Sequence, residues 1–234
     1  MTESAPRVWG GTTLDTRRDT RRRRLLEVGF ELLGGQGSAA VTVRSVCRHA
    51  KLTDRYFYEN FADRDGLLVA VYQQVAEQFR DAMAVAVGAA VAEAAPGPVA
   101  PEAVARSAVL AFVGLLTGDP RKGRVLLLAP MTDAALSAHA VGLMPMFGEL
   151  IRVQLAEAPG GAQATAGAPT VAVPAGAPAA TGLDERMTAT ALIGALSNLF
   201  VRWLDGTLEA SEQELTDYCV RLLLTAAPLA RPAP

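Results

Sequence analysis

Residues 41–68, VTVRSVCRHAKLTDRYFYENFADRDGLL, decide how this chain folds. They read as a short helix, a turn of three or four residues, a second short helix, and a break into a longer one. Val43, Val46, Cys47, Ala50, Leu52, Phe57 and Phe61 make one apolar set. Thr53, Asp54, Arg55, Tyr56 and Tyr58, on the second short helix, can all reach outward. A helix with a compact core behind it and hydrogen-bonding side chains in front suits a groove of DNA. Thr42 and Thr53 are expected to cap the two short helices, because a hydroxyl there accepts a bond from an orphan backbone N–H. Asp63 is expected to do the same for the longer helix.

Upstream, residues 1–15 are rich in Gly, Thr, Ser and Pro with little to bury, and read as a disordered N-terminal arm. A first helix is expected over about 16–34. Leu25, Val28, Gly29, Leu32 and Leu33 share one face, and Arg17, Arg18 and Arg21 to Arg24 load its first half. Gly34, Gly35 and Gly37 stop it. Downstream, the fourth helix is expected to run proline-free from about 64 to 92, until the APGPVAP segment at 95–101. Helices at about 101–117, 120–129 and 132–157 follow, the second ended by Pro130 and the third kinked at Pro145. Residues 158–182 are uncharged and rich in Ala, Gly, Pro and Thr, a low-complexity loop. Helices at about 183–205 and 211–226 close the chain. With no repeat and no convincing strand, the protein reads as all-α with about nine helices.

Composition narrows the function. Of the 234 residues, 50% are hydrophobic and 6% aromatic, enough for a core and weighted toward helix. No run approaches the roughly 18 uninterrupted apolar residues of a membrane span. The Arg-rich start has no export signal, so a cytoplasmic protein with no membrane attachment is expected. Cys47 and Cys219 lie in different expected helices and read as reduced, small apolar residues. The net charge of −2 hides a split: residues 1–64 hold twelve Lys/Arg against eight Asp/Glu, and the remainder ten against sixteen. A basic end on an acidic body points the N-terminal part at a polyanion. No Ser/His/Asp arrangement, metal-ligand spacing or phosphate-binding glycine loop offers catalysis anything to use, so no catalytic residue, metal or cofactor is expected.

In register, residues 25–68 resemble the DNA-binding domain of the TetR family of transcriptional regulators. LLEVGFELLGGQG (25–37) is similar to the opening helix of that family, with two aliphatics, small residues, an apolar pair and a glycine stop. Thr42-Val43-Arg44 opens the second helix, TDRYFYENF (53–61) matches the recognition helix, and Arg64 to Leu68 opens the fourth. Lys51 departs from the usual Gly of the turn, Leu33 from a usual Phe and Cys47 from a usual Ala. The resemblance implies a helix-turn-helix DNA-binding domain at 16–64 and a helical ligand-binding and dimerisation domain at 65–234.

It also assigns roles. Thr42, Tyr58 and Arg64 become phosphate clamps, and Arg44, Lys51, Thr53, Arg55 and Tyr56 candidates for reaching bases. Arg55 suits guanine O6 and N7, while Tyr56 suits a thymine methyl or a phosphate. Asp54 and Glu59 face a cytosine amino group or an arginine, or sit off the contact surface. The 17–24 arginines are expected to follow the backbone or enter the minor groove. In the body, Phe112, Leu116, Leu127, Met131, Met144 and Phe147 are the candidate lining of an apolar effector cavity. Leu192, Ala195, Leu196, Leu199, Trp203, Leu215, Tyr218 and Leu222 are the candidate dimer faces. The function implied is a ligand-responsive repressor, a homodimer on a palindromic double-stranded operator, with an unidentified small-molecule effector. The competing reading is a DNA-binding dimer whose body binds a protein partner and senses no small molecule.

Overall fold

A computed structural model of the chain describes residues 14–140 and 183–226. All regular structure among these residues is helical, in nine segments. They are α1 (Leu14–Gln36), α2 (Val43–Ala50), α3 (Asp54–Tyr58), α4 (Arg64–Ala94), α5 (Pro101–Gly118), α6 (120–132), α7 (134–140), α8 (Leu183–Leu204) and α9 (Glu212–Ala226). A short 3₁₀ turn, Ser38–Ala40, joins α1 to α2. The all-α expectation holds. The N-terminal arm, the Pro145 kink and the 158–182 loop lie outside the described residues.

The described chain divides into two compact units. The first combines residues 14–79 with 115–140, and the second 80–114 with 183–226. In the first, Leu25, Val28, Leu32 and Leu33 of α1 are buried with Val46, Cys47 and Ala50 of α2, Phe57 of α3 and Phe61. α4 adds Leu67, Leu68, Val71, Tyr72, Val75, Ala76 and Phe79, pairs of positions recurring every four residues as a buried helix face requires. Val125, Leu126, Ala129 and Leu136 bring α6 and α7 into the same unit. Cys47 is buried, and burial, aided by a hydrogen bond to Asp54, pushes its thiol up to about 11. It stays neutral, as an apolar filler should.

In the second unit, α5 buries Val104, Ala105, Val109 and Val113, and α9 buries Leu215, Thr216, Cys219 and Val220. Arg106 Nη1 donates to Asp217 Oδ1 at 2.6 Å, tying α5 to α9. Phe112 and Phe200 stack with centroids 4.7 Å apart, joining α5 to α8. Ser211 and Glu214 form a reciprocal cap for α9: Ser211 N donates to Glu214 Oε2 at 2.9 Å, and Glu214 N to Ser211 Oγ at 3.2 Å.

One expectation changes. The helix predicted to stop at Pro130 instead runs to Thr132, through a π-helical turn at Arg124–Leu128. The shifted bonding of that turn starts a fresh α-helical segment at Ala129, and Pro130 falls in its first turn. There the missing proline N–H removes no helical bond. The break comes at Asp133, whose carboxylate accepts from the N–H of Ala135 at 3.2 Å.

Gly34 and Gly35 make a testable pair. A Cβ on Gly34 would sit 2.7 Å from Cβ of Arg121 and 3.0 Å from its carbonyl oxygen, whereas one on Gly35 meets nothing within 4 Å. Gly35→Ala is therefore expected to stabilise by up to about 1 kcal/mol through helix propensity. Gly34→Ala is expected to lose about 1–3 kcal/mol, since α1 and α6 must move apart. Denaturant titration of the two variants checks this, and equal stabilities would contradict the close approach.

Candidate nucleic-acid interface

The α2–turn–α3 corner is held from behind and at both helix ends. Thr42 caps α2 as expected: its hydroxyl accepts from Ser45 N at 3.0 Å while Ser45 Oγ accepts from Thr42 N at 2.9 Å. The Ser45 half of this box was not read from the sequence, although the three-residue spacing was there to find it. Thr53 occupies the N-cap position of α3 with extended backbone, but its side chain makes no capping bond. Asp63 does cap α4, with Oδ1 accepting from Gly66 N at 2.8 Å.

Lys51 ends α2 in the left-handed region, φ 56° and ψ 40°. A glycine would take this conformation without the roughly 1–2 kcal/mol penalty a side chain incurs. The turn therefore keeps its usual left-handed shape despite the departure in residue type. The Lys51 side chain is exposed, as are Arg44 and Arg48 one turn apart on α2. Arg48 was not singled out from the sequence, yet its four-residue spacing from Arg44 puts both cations on one face.

On α3, Phe57 is fully buried, while Arg55 and Tyr58 are exposed. Arg55 is 85% exposed at its side chain and pairs only through Nε with Glu59 Oε1, at 3.1 Å. That contact leaves its outer nitrogens free to make other bonds. Tyr58 stands at the edge of the Phe57 ring, centroids 5.5 Å apart and planes 80° apart, with its own ring 58% exposed. Tyr56 is half-buried beneath the guanidinium of Arg21, 4.4 Å from its ring centroid. Glu59 faces arginines, pairing with Arg55 and, at 3.8 Å, with Arg21. Asp54 is exposed in the first turn of α3 and lies close enough to Cys47 to raise its thiol.

The arginine run on α1 has a role the sequence did not suggest. Arg18 Nη2 donates to the carbonyl of Glu59 at 2.8 Å, and Arg22 Nη1 to that of Asn60 at 3.0 Å. Arg22 also covers the Phe61 ring at 4.5 Å. These cations satisfy the carbonyls that end α3, where the helix dipole favours positive charge. Part of the run therefore braces α3. Arg23 and Arg24 are exposed on the same helix.

Arg64, expected as a phosphate clamp, is engaged by the protein itself. Its guanidinium, one-third exposed, donates to four acceptors of the protein itself. These are the carbonyls of Val41 at 2.8 Å and Ser38 at 2.9 Å, and the carboxylates of Asp65 at 2.7 Å and Asp133 at 2.8 Å. A fork so occupied braces the loop before α2.

The residues expected to line an effector cavity are scattered. Leu116 is fully buried core, Leu127 is half-buried on the π-helical turn, Met131 is 69% exposed and Phe112 stacks on Phe200. Met144 and Phe147 lie outside the described residues. An open groove of about 440 Å³ in the first unit is lined instead by Leu33, Gly34 and Gly35 on one side and Arg124, Leu128 and Thr132 on the other.

Of the expected dimer faces, Leu192 and Leu215 are buried within the chain. Ala195 and Tyr218 are exposed, and Leu196, Leu199, Trp203 and Leu222 half-buried. Trp203 donates its indole N–H to the Ala210 carbonyl at 2.8 Å. Among the described residues, two helical stretches, Pro101–Gly118 and Arg186–Leu204, are long and apolar enough to cross a membrane by length and composition. The first contributes buried residues to the interior; only 11% of the second is buried.

Residues 25–71 match the family model for bacterial regulatory proteins of the tetR family. No curated protein sequence matches the chain. Among solved structures, a TetR-like transcriptional regulator from Rhodococcus sp. RHA1 aligns at 19% identity and a TM-score of 0.59, covering 89% of this chain and 96% of its own. The multidrug binding protein EbrR, complexed with imidazole, aligns at 20% identity and 0.61, covering 97% and 99%. The regulator FadR from Bacillus subtilis, in complex with stearoyl-CoA, aligns at 14% and 0.61, covering 87% and 98%. At these identities the likeness to the structures is one of fold.

Proposed function

Because the chain belongs to the tetR family of bacterial regulatory proteins, we propose that it is a ligand-responsive repressor binding a palindromic operator as a homodimer. The observation that carries the DNA-binding part is the α2–turn–α3 corner. It keeps Phe57, Cys47 and Ala50 inside and sets Arg44, Lys51, Thr53, Arg55 and Tyr58 outside. Arg44, Lys51 and Arg55 are the base readers, joined by Thr53, whose hydroxyl makes no cap. Thr42 and Tyr58 clamp phosphate. Tyr56 contributes its ring edge beside Arg21.

The dimer is supported by α8, an apolar helix on which Leu183, Met187 and Ala195 are exposed and Leu196, Leu199 and Trp203 only half-buried. A two-fold mate covering it would bring two recognition helices to one duplex, each on its own half-site. The small-molecule part rests on analogy with EbrR and FadR, whose structures hold imidazole and stearoyl-CoA. An effector that binds better to a dimer whose recognition helices are mis-spaced lowers operator affinity by that difference. The chain's place of action is the cytoplasm, where such DNA is reached.

Selection of bound sequences from random DNA tests the reading, and should return a palindrome. With that duplex, Arg55→Ala is expected to cost about 1–3 kcal/mol and to relax preference at one position in each half-site. Unchanged affinity and preference would remove Arg55 from the readers.

A further inference from the structure

We propose that Asp133, 69 residues from Arg64 in sequence, is a positioning residue for the DNA interface, acting through the Arg64 guanidinium. The inference rests on the DNA-binding reading of the α2–α3 corner. Both residues lie in the first compact unit. The Asp133 side chain is 8% exposed, and its two oxygens are divided between two tasks. Oδ1 accepts from the N–H groups of Ala135 and Leu136, at 3.2 and 3.4 Å, and so starts α7. Oδ2 accepts from Arg64 Nη2 at 2.8 Å.

Arg64 passes the constraint on. Nη2 also holds the Ser38 carbonyl, and Nε the Val41 carbonyl, on either side of the turn that delivers α2. The Val41 carbonyl belongs to the peptide plane whose N–H is that of Thr42. Holding that plane fixes the direction of the Thr42 cap and of the first turn of α2. Burial lowers the Arg64 pKa, but the bonds to Asp133 and Asp65 outweigh it and raise the net value. Burial likewise raises Asp133, and the Arg64 bond and charge, together with the N–H groups of Leu136 and Ala135, outweigh it downward. Both groups are charged together at neutral pH, so the pair is a fixed, charge-assisted link.

The link runs from the start of α7, just after the π-helical turn of α6, to the start of α2. A shift of α7 therefore changes how the phosphate clamp is presented without touching any DNA-facing residue. An arginine is needed because three nitrogens held in a fixed fork meet four acceptors, which a lysine ammonium cannot do.

Two substitutions separate positioning from a direct charge effect, using the duplex that the wild-type chain enriches from random DNA. Asp133→Asn keeps a helix-capping acceptor and removes a negative charge. If Arg64 simply attracted phosphate, freeing it would tighten binding and steepen the salt dependence. Positioning predicts binding weaker by about 5- to 150-fold, with the slope of log affinity against log salt unchanged. Arg64→Lys keeps the cation but not the fork, and the same loss is expected. A double variant should lose little beyond either single one, because each removes the same link. Circular dichroism melts establish that each variant is folded at the assay temperature, and Arg64→Lys carries the test if Asp133→Asn is not. Binding by Asp133→Asn equal to or tighter than wild type, or wild-type affinity in Arg64→Lys, overturns the assignment. Failure of the wild type to enrich any sequence instead overturns the DNA-binding reading itself, and the assignment with it.

Discussion

Phe57→Ala is expected to destabilise the first unit by about 3–5 kcal/mol, the range for a large aromatic removed from a closed core. Phe57 is the one buried residue of α3, a helix of five residues. So short a helix has no stability of its own, since nucleation fixes several residues for the first bond. Its hold on the domain is the Phe57 ring, which meets Tyr58 at 5.5 Å and Phe61 at 5.8 Å between centroids. Removing the ring leaves a cavity beneath α3 and nothing to seat it. Urea denaturation followed by circular dichroism reads the change, and DNA affinity should disappear with it. Tyr58→Phe is the control: the ring edge against Phe57 is kept, so stability should stay within about 0.5 kcal/mol of wild type. A loss under about 1 kcal/mol for Phe57→Ala would mean that α3 is seated by something else.

Ala195→Glu is expected to convert the proposed dimer to a monomer and to weaken operator binding by about 10²–10⁴-fold. Ala195 is exposed on α8, on the stretch of which only 11% is buried, and Leu183 and Met187 near its start are 63% and 60% exposed. A carboxylate placed in an apolar interface must be desolvated without a partner, which is costly. Within a monomer the same side chain faces water and costs little. The large loss on DNA comes from valency: a dimer binds its second half-site at high effective concentration, and a monomer does not. Sedimentation velocity at micromolar protein, with and without the duplex, separates the two effects. A wild-type chain that sediments as a monomer would sink the dimer. A variant that stays dimeric would place the interface away from Ala195.

Much of the fold was legible because it is local. The apolar face of α1, the Thr42 and Asp63 caps and the proline break at 95–101 act over a few residues. Such signals survive in a single sequence. The π-helical turn in α6 was not legible, since nothing in RVLLL marks an extra residue per turn, and Pro130 then reads as a stop. At the candidate interface, the alternation of Phe57 with Arg55, Tyr56 and Tyr58 separated inside from outside correctly for Phe57, Arg55 and Tyr58. Tyr56 went half under Arg21, a contact between helices that sequence spacing does not encode.

By itself, then, the sequence determined that the described residues are all-helical, that residues 41–68 build a helix-turn-helix, and that Val46, Cys47, Ala50, Phe57 and Phe61 are its core, while Val43 and Leu52 of the same expected set are only half-buried. Helix periodicity, caps and glycine or proline stops are short-range physics, so they can be read in order along the chain. Only the tertiary structure decided how the cations divide. Arg18, Arg21 and Arg22 brace α3, Arg64 is taken by Asp133 and the turn carbonyls, and Arg44, Arg48, Lys51 and Arg55 stay at the surface. An arginine looks alike in sequence whether its partner is a phosphate or a carboxylate 69 residues away. The partner is set by which acceptors folding brings within about 3 Å of the guanidinium.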